Sequence, residues 1–313
     1  MPLFAKRRLW PAAAAALLAM SGCSHGAPQP LAAQQQAANP AVPAPVAKVD
    51  PPIGYIAGVY RGFDRNTYPG DATMAAMMQG HAAFAFTGYW LTNPPGARTN
   101  SWHGKRAVLK QQGWGFLVLA NGRLDAELLR AQKRGTPPAD FARSDAAIAV
   151  AAARSEGFPP HTILFLDQEE GGRLLDEQAA YLLAWTEAVA ASEFLPGVYA
   201  SGQPVPDGPG HTITTIDDIR QQVEAKHLHT IAMFDAQDAC PPAPGCTLNA
   251  KPLAASGEPD LTAWQYSQTP RRRAITQSCS ATYAADGNCY APGAATLFLD
   301  MDAATSADPS HGR

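Results

Sequence analysis

The sequence lacks the fingerprints of several large enzyme classes. No Gly-x-Gly-x-x-Gly follows the first predicted strand, so nothing supports a dinucleotide on a doubly wound sheet. No Gly-x-Ser-x-Gly elbow joins a predicted strand to a helix, and no cysteine is evident beside a partnered histidine, which leaves nucleophilic hydrolysis without support. Positive charge is in short supply: 24 Lys and Arg stand against 27 Asp and Glu, a net charge of −3. Lys6, Arg7 and Arg8 precede Cys23 and no acid does, so the rest of the chain is more acidic still. That balance gives no electrostatic case for nucleic acid. None of the five cysteines has the tight spacing of a zinc knuckle. His227-x-His229 ends a predicted helix without a third ligand nearby and reads as surface, so neither metal nor cofactor is expected. The apolar run Leu9–Met20 is too short, and wrongly flanked, to span a bilayer.

That run fits an export signal instead, with Lys6, Arg7 and Arg8 before it and Ser21-Gly22-Cys23 after it. Met20-Ser21-Gly22-Cys23 is similar to a bacterial lipobox. The similarity implies a signal peptide over 1–22, an acylated (palmitate-bearing) Cys23, and export with anchorage to the membrane. An ordinary secretory signal with an incidental cysteine is the alternative. Ser24 after the cysteine, rather than Asp, implies retention at the outer membrane, facing the periplasm, in a diderm bacterium. Residues 23–52 are rich in Ala, Pro and Gln and nearly uncharged, a composition that reads as a flexible tether able to extend by about 3 Å per residue. Residues 53–304 are read as one domain and 305–313 as a disordered tail. Four cysteines remain after Cys23, an even number that suggests two disulfides in an exported chain. Of three possible pairings, Cys240–Cys246 and Cys279–Cys289 are favoured because each closes a loop containing Gly, Pro or Asn.

Strand-like and helix-like runs alternate through the domain. Predicted strands cover Tyr55–Asp64, Ala82–Leu91, Gly115–Ala120, Ile163–Leu166 and Gly197–Ser201; predicted helices cover Ala72–Gln79, Lys105–Gln112 and Asp140–Glu156. Two more helices begin near Asp176 and Thr215, each read as its cap. Thr230–Asp235, Leu261–Ser267 and Thr296–Asp302 are three further strands joined by loops. The fold class is therefore α/β, with five strand–helix units and three final strands, a count that points to a closed (β/α)8, TIM-type barrel.

The stretch His161–Glu170 carries the chemistry. Ile163-Leu164-Phe165-Leu166 suits a strand buried on both faces, and it runs into Asp167, Glu169 and Glu170. Alternation along a strand puts Asp167 and Glu169 on one side, with alpha carbons roughly 6.5 Å apart. Glu170 faces the other way or joins the loop with Gly171 and Gly172. Paired carboxylates at a buried strand end are the usual equipment for acid/base work on a glycosidic bond; a strand-end salt bridge is the plainer alternative. Trp264 and Tyr266 share a face of their strand, and with Tyr89 and Trp90 they are candidates to stack on a sugar ring, core packing being the alternative. Arg271-Arg272-Arg273 reads as a solvated loop, with contact to anionic wall polymer or lipid headgroups as the rival reading.

Five motifs taken together resemble glycoside hydrolase family 25. They are Gly62-Phe63-Asp64, Ile163 to Glu169, Gly197-Val198-Tyr199-Ala200-Ser201, Trp264-Gln265-Tyr266-Ser267 and Leu299-Asp300-Met301-Asp302. Tyr89–Pro94 and Gly157–Glu169 are more similar still to an offshoot of that family, a glycoside hydrolase-like barrel of unknown function in exported bacterial proteins. The resemblance covers residues 58–303. It implies that Glu169 is the general acid and that Asp167 orients the substrate acetamido group or stabilises positive charge. Asp64 and Asp300 would line the same cavity, and Asp235 is a candidate for the same ring. The implied partner is peptidoglycan or a related polysaccharide. A saccharide-binding lipoprotein without turnover is the alternative, and a metal-dependent phosphodiesterase a third. If the lipobox reading holds, Cys23→Ala releases the protein from the membrane fraction without unfolding the domain, as fractionation and thermal melting would show; retention in membranes would overturn it.

Overall fold

Short strands, apolar on both faces, set the architecture, since such strands are satisfied only inside a sheet wrapped by helices. In chain order they are β1 (Tyr60–Asp64), β2 (Phe84–Trp90), β3 (Gly115–Asn121), β4 (Ile163–Asp167), β5 (Leu195–Ser201), the small hairpin β6 (Val205–Pro206) and β7 (Thr212–Ile213), then β8 (Ala232–Ala236), β9 (Leu261–Ser267) and β10 (Asp300–Ala304). The computed structural model describes residues 56–79, 84–238, 250–268, 297 and 299–313. Cys23, the tether, Cys240, Cys246, Cys279, Cys289 and Arg271-Arg272-Arg273 lie outside the described residues.

All strands except the β6–β7 hairpin close into one eight-stranded barrel, in the order β1-β10-β9-β8-β5-β4-β3-β2. Seven strands run parallel; β10 runs against both neighbours, β9 and β1. The interior is filled by interdigitating large and absent side chains. A Cβ on Gly62 would stand 2.1 Å from the Phe86 ring, and one on Gly197 2.5 Å from the Phe165 ring. Glycine on one strand therefore makes room for an aromatic on the next.

Among the described residues, six α-helices surround the barrel: α1 (Asp71–Gln79), α2 (Arg106–Gln112), α3 (Asp125–Lys133), α4 (Pro138–Ser155), α5 (Asp176–Ala190) and α6 (Thr215–Ala225). The sequence reading finds all but α3, which is mostly polar and buries only Leu128 and Ala131. In α4 the buried Ala142, Ala146, Ala149 and Ala153 form a stripe at helical spacing. The expected caps shift by one residue. Leu175 is the N-cap of α5, its N–H donating to Gln178 Oε1 at 2.8 Å. Thr214, not Thr215, caps α6, its hydroxyl accepting from Asp217 N at 3.0 Å. No described helix is long and apolar enough to cross a membrane.

The last nine residues, read from the sequence as a disordered tail, are instead built into the end of the barrel where β3 and β4 begin. Ser310 N donates to Phe116 O and Ser310 O accepts from Ile163 N, both at 2.9 Å, so the segment wedges between the two strands below their own pairing. Asp308 Oδ1 accepts from Phe116 N at 2.9 Å. Arg106, the buried first residue of α2, donates twice to Gly312 O at 3.1 and 2.7 Å. Hydrogen bonds to buried backbone, which the residue composition does not reveal, fix the segment. Ser310 Oγ accepts from the buried Val118 N–H at 2.9 Å. Ser310→Ala leaves that donor unpaired and should cost about 1–3 kcal/mol, a melting-temperature fall of several degrees by calorimetry; a loose tail would give no change.

Candidate functional site

The strand register assembles the site at the carboxyl-terminal rim of the parallel strands. Asn121, Asp167 and Tyr199 stand side by side on β3, β4 and β5. Asp64, the last residue of β1, stands opposite Asp300, the first of β10, because β10 runs the other way. All five line one cavity of about 650 Å³, together with Glu169, Trp90, Phe234, Gln265 and the arginines Arg123 and Arg130. Gly88 opens the space beside Asp64: a Cβ there would lie 2.6 Å from the Asp64 Cβ. Gly122 does the same beside Asp167, whose carbonyl oxygen would stand 2.2 Å from an added Cβ.

The floor is held by hydrogen bonds among side chains. Tyr199 OH donates to Gln265 Oε1 at 2.9 Å, and Gln265 Nε2 donates to Asp64 Oδ2 at 2.7 Å. Burial, followed by the charges of Asp64, Asp167, Asp300 and Glu169, pushes the Tyr199 hydroxyl well above the usual tyrosine range. It is thus a neutral donor at any physiological pH. The chain just after Asp64 is pinned as well, since the Trp90 and Trp102 indole N–H groups both donate to Arg65 O, at 3.2 and 3.1 Å. On the wall, Arg123 makes a two-pronged contact with Asp145 at 2.8 and 3.0 Å and lies 4.7 Å from the Phe141 ring centroid. Tyr181 OH also donates to Asp145, at 2.8 Å.

Of the residues singled out from the sequence, Asp64, Asp167, Glu169, Asp300 and Trp90 are brought together. Asp235, Trp264, Tyr266 and Tyr89 are not, and for one reason: each sits one residue off the inward parity of its strand. Phe234, Gln265 and Trp90 line the cavity in their place. Trp264 and Tyr266 are fully buried outside the cavity, ring centroids 6.0 Å apart, with Trp264 Nε1 donating to Gln237 O at 2.9 Å. Tyr89 is fully buried too, its hydroxyl donating to Glu156 Oε2 at 2.6 Å. The sequence reading passed over Gln265 and Tyr199. For Gln265 the available signal is a lone amide between two aromatics; for Tyr199 only the pairing with Asp167, seen in the structure, reveals it. Glu170 does face away, but it is occupied: its Oε2 accepts from Asp125 N at 2.7 Å and Gln178 Nε2 at 2.6 Å. Glu169 is exposed, two residues past the end of β4, and makes no hydrogen bond or ion pair among the described residues. No group of three or more His, Cys, Asp or Glu among the described residues is arranged to hold a metal ion.

An eight-stranded α/β barrel with a carboxylate-lined cavity at the ends of its parallel strands is a glycoside hydrolase-like architecture. The family described as Rv2525c-like, glycoside hydrolase-like domain matches residues 82–240, just over half of the chain, and the chain belongs to that family. Among solved structures it is similar to an uncharacterized B. stearothermophilus protein, at 15% identity and TM-score 0.47 over 78% of this chain and 94% of that one. It is also similar to the Mycobacterium tuberculosis Tat-secreted protein Rv2525c in complex with L-tartrate, at 12% identity and TM-score 0.45 over 78% and 94%. The catalytic domain of endolysin ply40 from bacteriophage P40 of Listeria monocytogenes matches at 14% identity and TM-score 0.42, over 82% and 98%. No curated protein matches.

Asp235 has a separate role, as a buried acid behind the cavity wall. A Cβ on Gly202 would stand 2.2 Å from its Oδ1. The Ser256 hydroxyl and Gly202 amide approach it, but neither carboxylate oxygen receives a well-formed hydrogen bond. Burial first, and the Glu258 charge second, push the Asp235 carboxyl up to about 7, only partly offset by Ser256, Gly202 and Arg220. A folded-state value above the unfolded one means that the native protein holds a proton the unfolded chain has released. Stability contributed by that proton is full at low pH and is lost as pH rises from about 4 through about 7. Asp235→Asn should flatten this part of the stability–pH curve and raise the melting temperature at pH 8 relative to wild type. A wild-type pH profile in the variant would show that Asp235 ionises normally.

Proposed function

We propose that this chain is an exported lipoprotein whose barrel hydrolyses glycosidic bonds in peptidoglycan or a related cell-wall polysaccharide, along the lines of glycoside hydrolase family 25. The observation that carries the reading is the convergence of Asp64, Asp167, Glu169 and Asp300 on one cavity of a size suited to a saccharide. Glu169, at the solvent-facing rim, is the general acid that gives its proton to the leaving oxygen. Asp167, fixed in the sheet beside Tyr199, stabilises the positive charge that develops on the sugar ring. Asp64 and Asp300 complete the acidic floor, and Trp90 offers an aromatic wall. Export and anchoring through the lipid on Cys23, which rest on the sequence of residues 1–23, place the barrel beside the polymer. The membrane is then a partner through that lipid alone.

One observation favours a second reading, a saccharide-binding lipoprotein without turnover. Glu169 is exposed and unanchored among the described residues, whereas the other three acids are built into strands. The two readings separate on purified peptidoglycan, with new reducing ends as the measure of turnover. For a hydrolase, Glu169→Gln lowers the rate by about 10²–10⁴-fold with saccharide binding little changed, and Asp167→Asn lowers it too. Wild-type rates in a folded Glu169→Gln protein rule out the general-acid role. Binding without turnover in the wild type, weakened by Asp167→Asn, assigns the second reading. Glu170→Gln is no silent control, because it perturbs the link from Glu170 to α3 and α5.

A further inference from the structure

Asp302 lies one inward position below Asp300 on β10, across from Gly62 on β1 and Gln265 on β9. It is fully buried, and among the described residues no donor reaches either of its carboxyl oxygens. The polar group it meets is a second carboxyl, that of Asp64. Asp300 on its own strand adds another negative charge, and Tyr266 on β9, with Arg61 beyond it, is the remaining titratable neighbour. Two carboxylates cannot sit this close inside a barrel unless one keeps its proton. Asp64 lines the cavity and receives the Gln265 amide N–H, so its ionised form is the better solvated of the two. Asp302 is closed off from solvent and, among the described residues, is given no donor.

We propose that Asp302 is a neutral, proton-bearing positioning residue beneath the site, and that it donates a hydrogen bond to Asp64, holding that carboxylate ionised and fixed at the cavity floor. Asp64 then has a donor on each side, Gln265 and Asp302, and presents its charge to the cavity in one orientation. Burial, with the Asp64 and Asp300 charges behind it, drives the Asp302 carboxyl well above the usual range, in line with this arrangement. The relay reads Tyr199 to Gln265 to Asp64, with Asp302 closing it from below. Asp302 need not touch a substrate. Its consequence for turnover rests on the hydrolase reading, but its protonation does not.

Infrared difference spectra test the protonation on the full chain without any substrate. At pH 9 Asp235, pushed up to about 7, is ionised, so a protonated-carboxyl C=O band remaining there reports Asp302. The band should be present in the wild type, absent in Asp302→Asn and retained in Asp64→Asn. No band at pH 9, or a band that survives Asp302→Asn, overturns the proposal. So does a band that is lost in Asp64→Asn while Asp302→Asn keeps it, since the proton would then reside on Asp64. Should Asp302→Asn fail to fold, Asp302→Leu supplies the same comparison, a band that survives it overturning the proposal. Turnover on peptidoglycan tests the positioning role. The side-chain amide of Asp302→Asn can still donate to Asp64, so its kcat should exceed that of Asp302→Ala by on the order of tenfold. Equal losses in both variants overturn the positioning role, while an intact band with no wild-type turnover leaves Asp302 assigned and removes the hydrolase reading instead.

Discussion

The pairing of β10 with β1, which sets Asp300 opposite Asp64, is the contact on which the rest of the site depends. A barrel of parallel strands carries its functional groups where the strands end, because loops there are free to vary while the opposite end is fixed by packing. β10 breaks that direction, so its beginning, rather than its end, reaches the functional rim. An acid at the first position of an antiparallel strand is thereby equivalent to one at the last position of a parallel strand. The same reversal carries the chain onward to the opposite end of the barrel, where residues 305–313 are bonded between β3 and β4. One strand direction thus accounts both for the closed acidic floor and for the ordered final segment.

Crowding acids into one floor raises an electrostatic problem that the surrounding side chains answer in different ways. Asp64 is met by the Gln265 amide, and Tyr199, kept neutral, supports that amide from the other side. Asp167 lines the cavity yet is itself buried in the sheet. Arg123 brings positive charge to the wall, but that charge is already committed to Asp145, which burial and the Tyr181 hydroxyl hold in place. The floor itself is lined by the carboxyl groups of Asp64, Asp167 and Asp300. A negative floor suits a reaction in which positive charge builds on a sugar ring, and it disfavours ligands that are themselves anionic at that position.

The fold was largely legible in the sequence because element type follows periodicity and stop signals, and those were strong: the apolar run of Ile163–Leu166, Gly113 and Gly157 after their helices, the alanine stripe of α4. The acids at strand ends were legible too, since a carboxylate closing an apolar run is costly to bury and is kept there only where a partner or a reaction uses its charge. Parity was not. On a strand with one wet face, alternation separates inside from outside; in β2, β8 and β9 both faces are buried, and Tyr89 and Trp90, or Trp264 and Gln265, are equally plausible inward residues by composition. What settles parity is the ladder itself. Asp167 faces the cavity, so its partners Asn121 and Tyr199 do also, and Phe234 follows from Tyr199. That is three-dimensional information which no single strand contains. The final segment was misread for a related reason, as its anchors are backbone groups of distant strands rather than its own apolar side chains.

The contrast between Asp167 and Glu169 follows from where the ladder stops. Asp167 is paired on both sides, and the last sheet-like bond on this strand is the one from Gln168 N to Tyr199 O at 2.9 Å. Beyond it the chain is held by side chains instead: Gln168 Nε2 to Glu170 O at 3.2 Å, Glu170 to α3 and α5, and Gly172 N to Thr215 Oγ1 at 2.7 Å. These bonds hold the backbone on either side of Glu169, whose own exposed side chain lines the cavity. A general acid must meet the leaving oxygen within hydrogen-bond reach, and apo geometry commonly tightens only when substrate is present. Under the hydrolase proposal, the three acids built into strands are placed by the sheet, whereas Glu169 would meet the leaving oxygen only once a substrate is seated. Turnover on that reading depends on a rim side chain that the ladder does not hold, and not on the sheet that carries the other three acids.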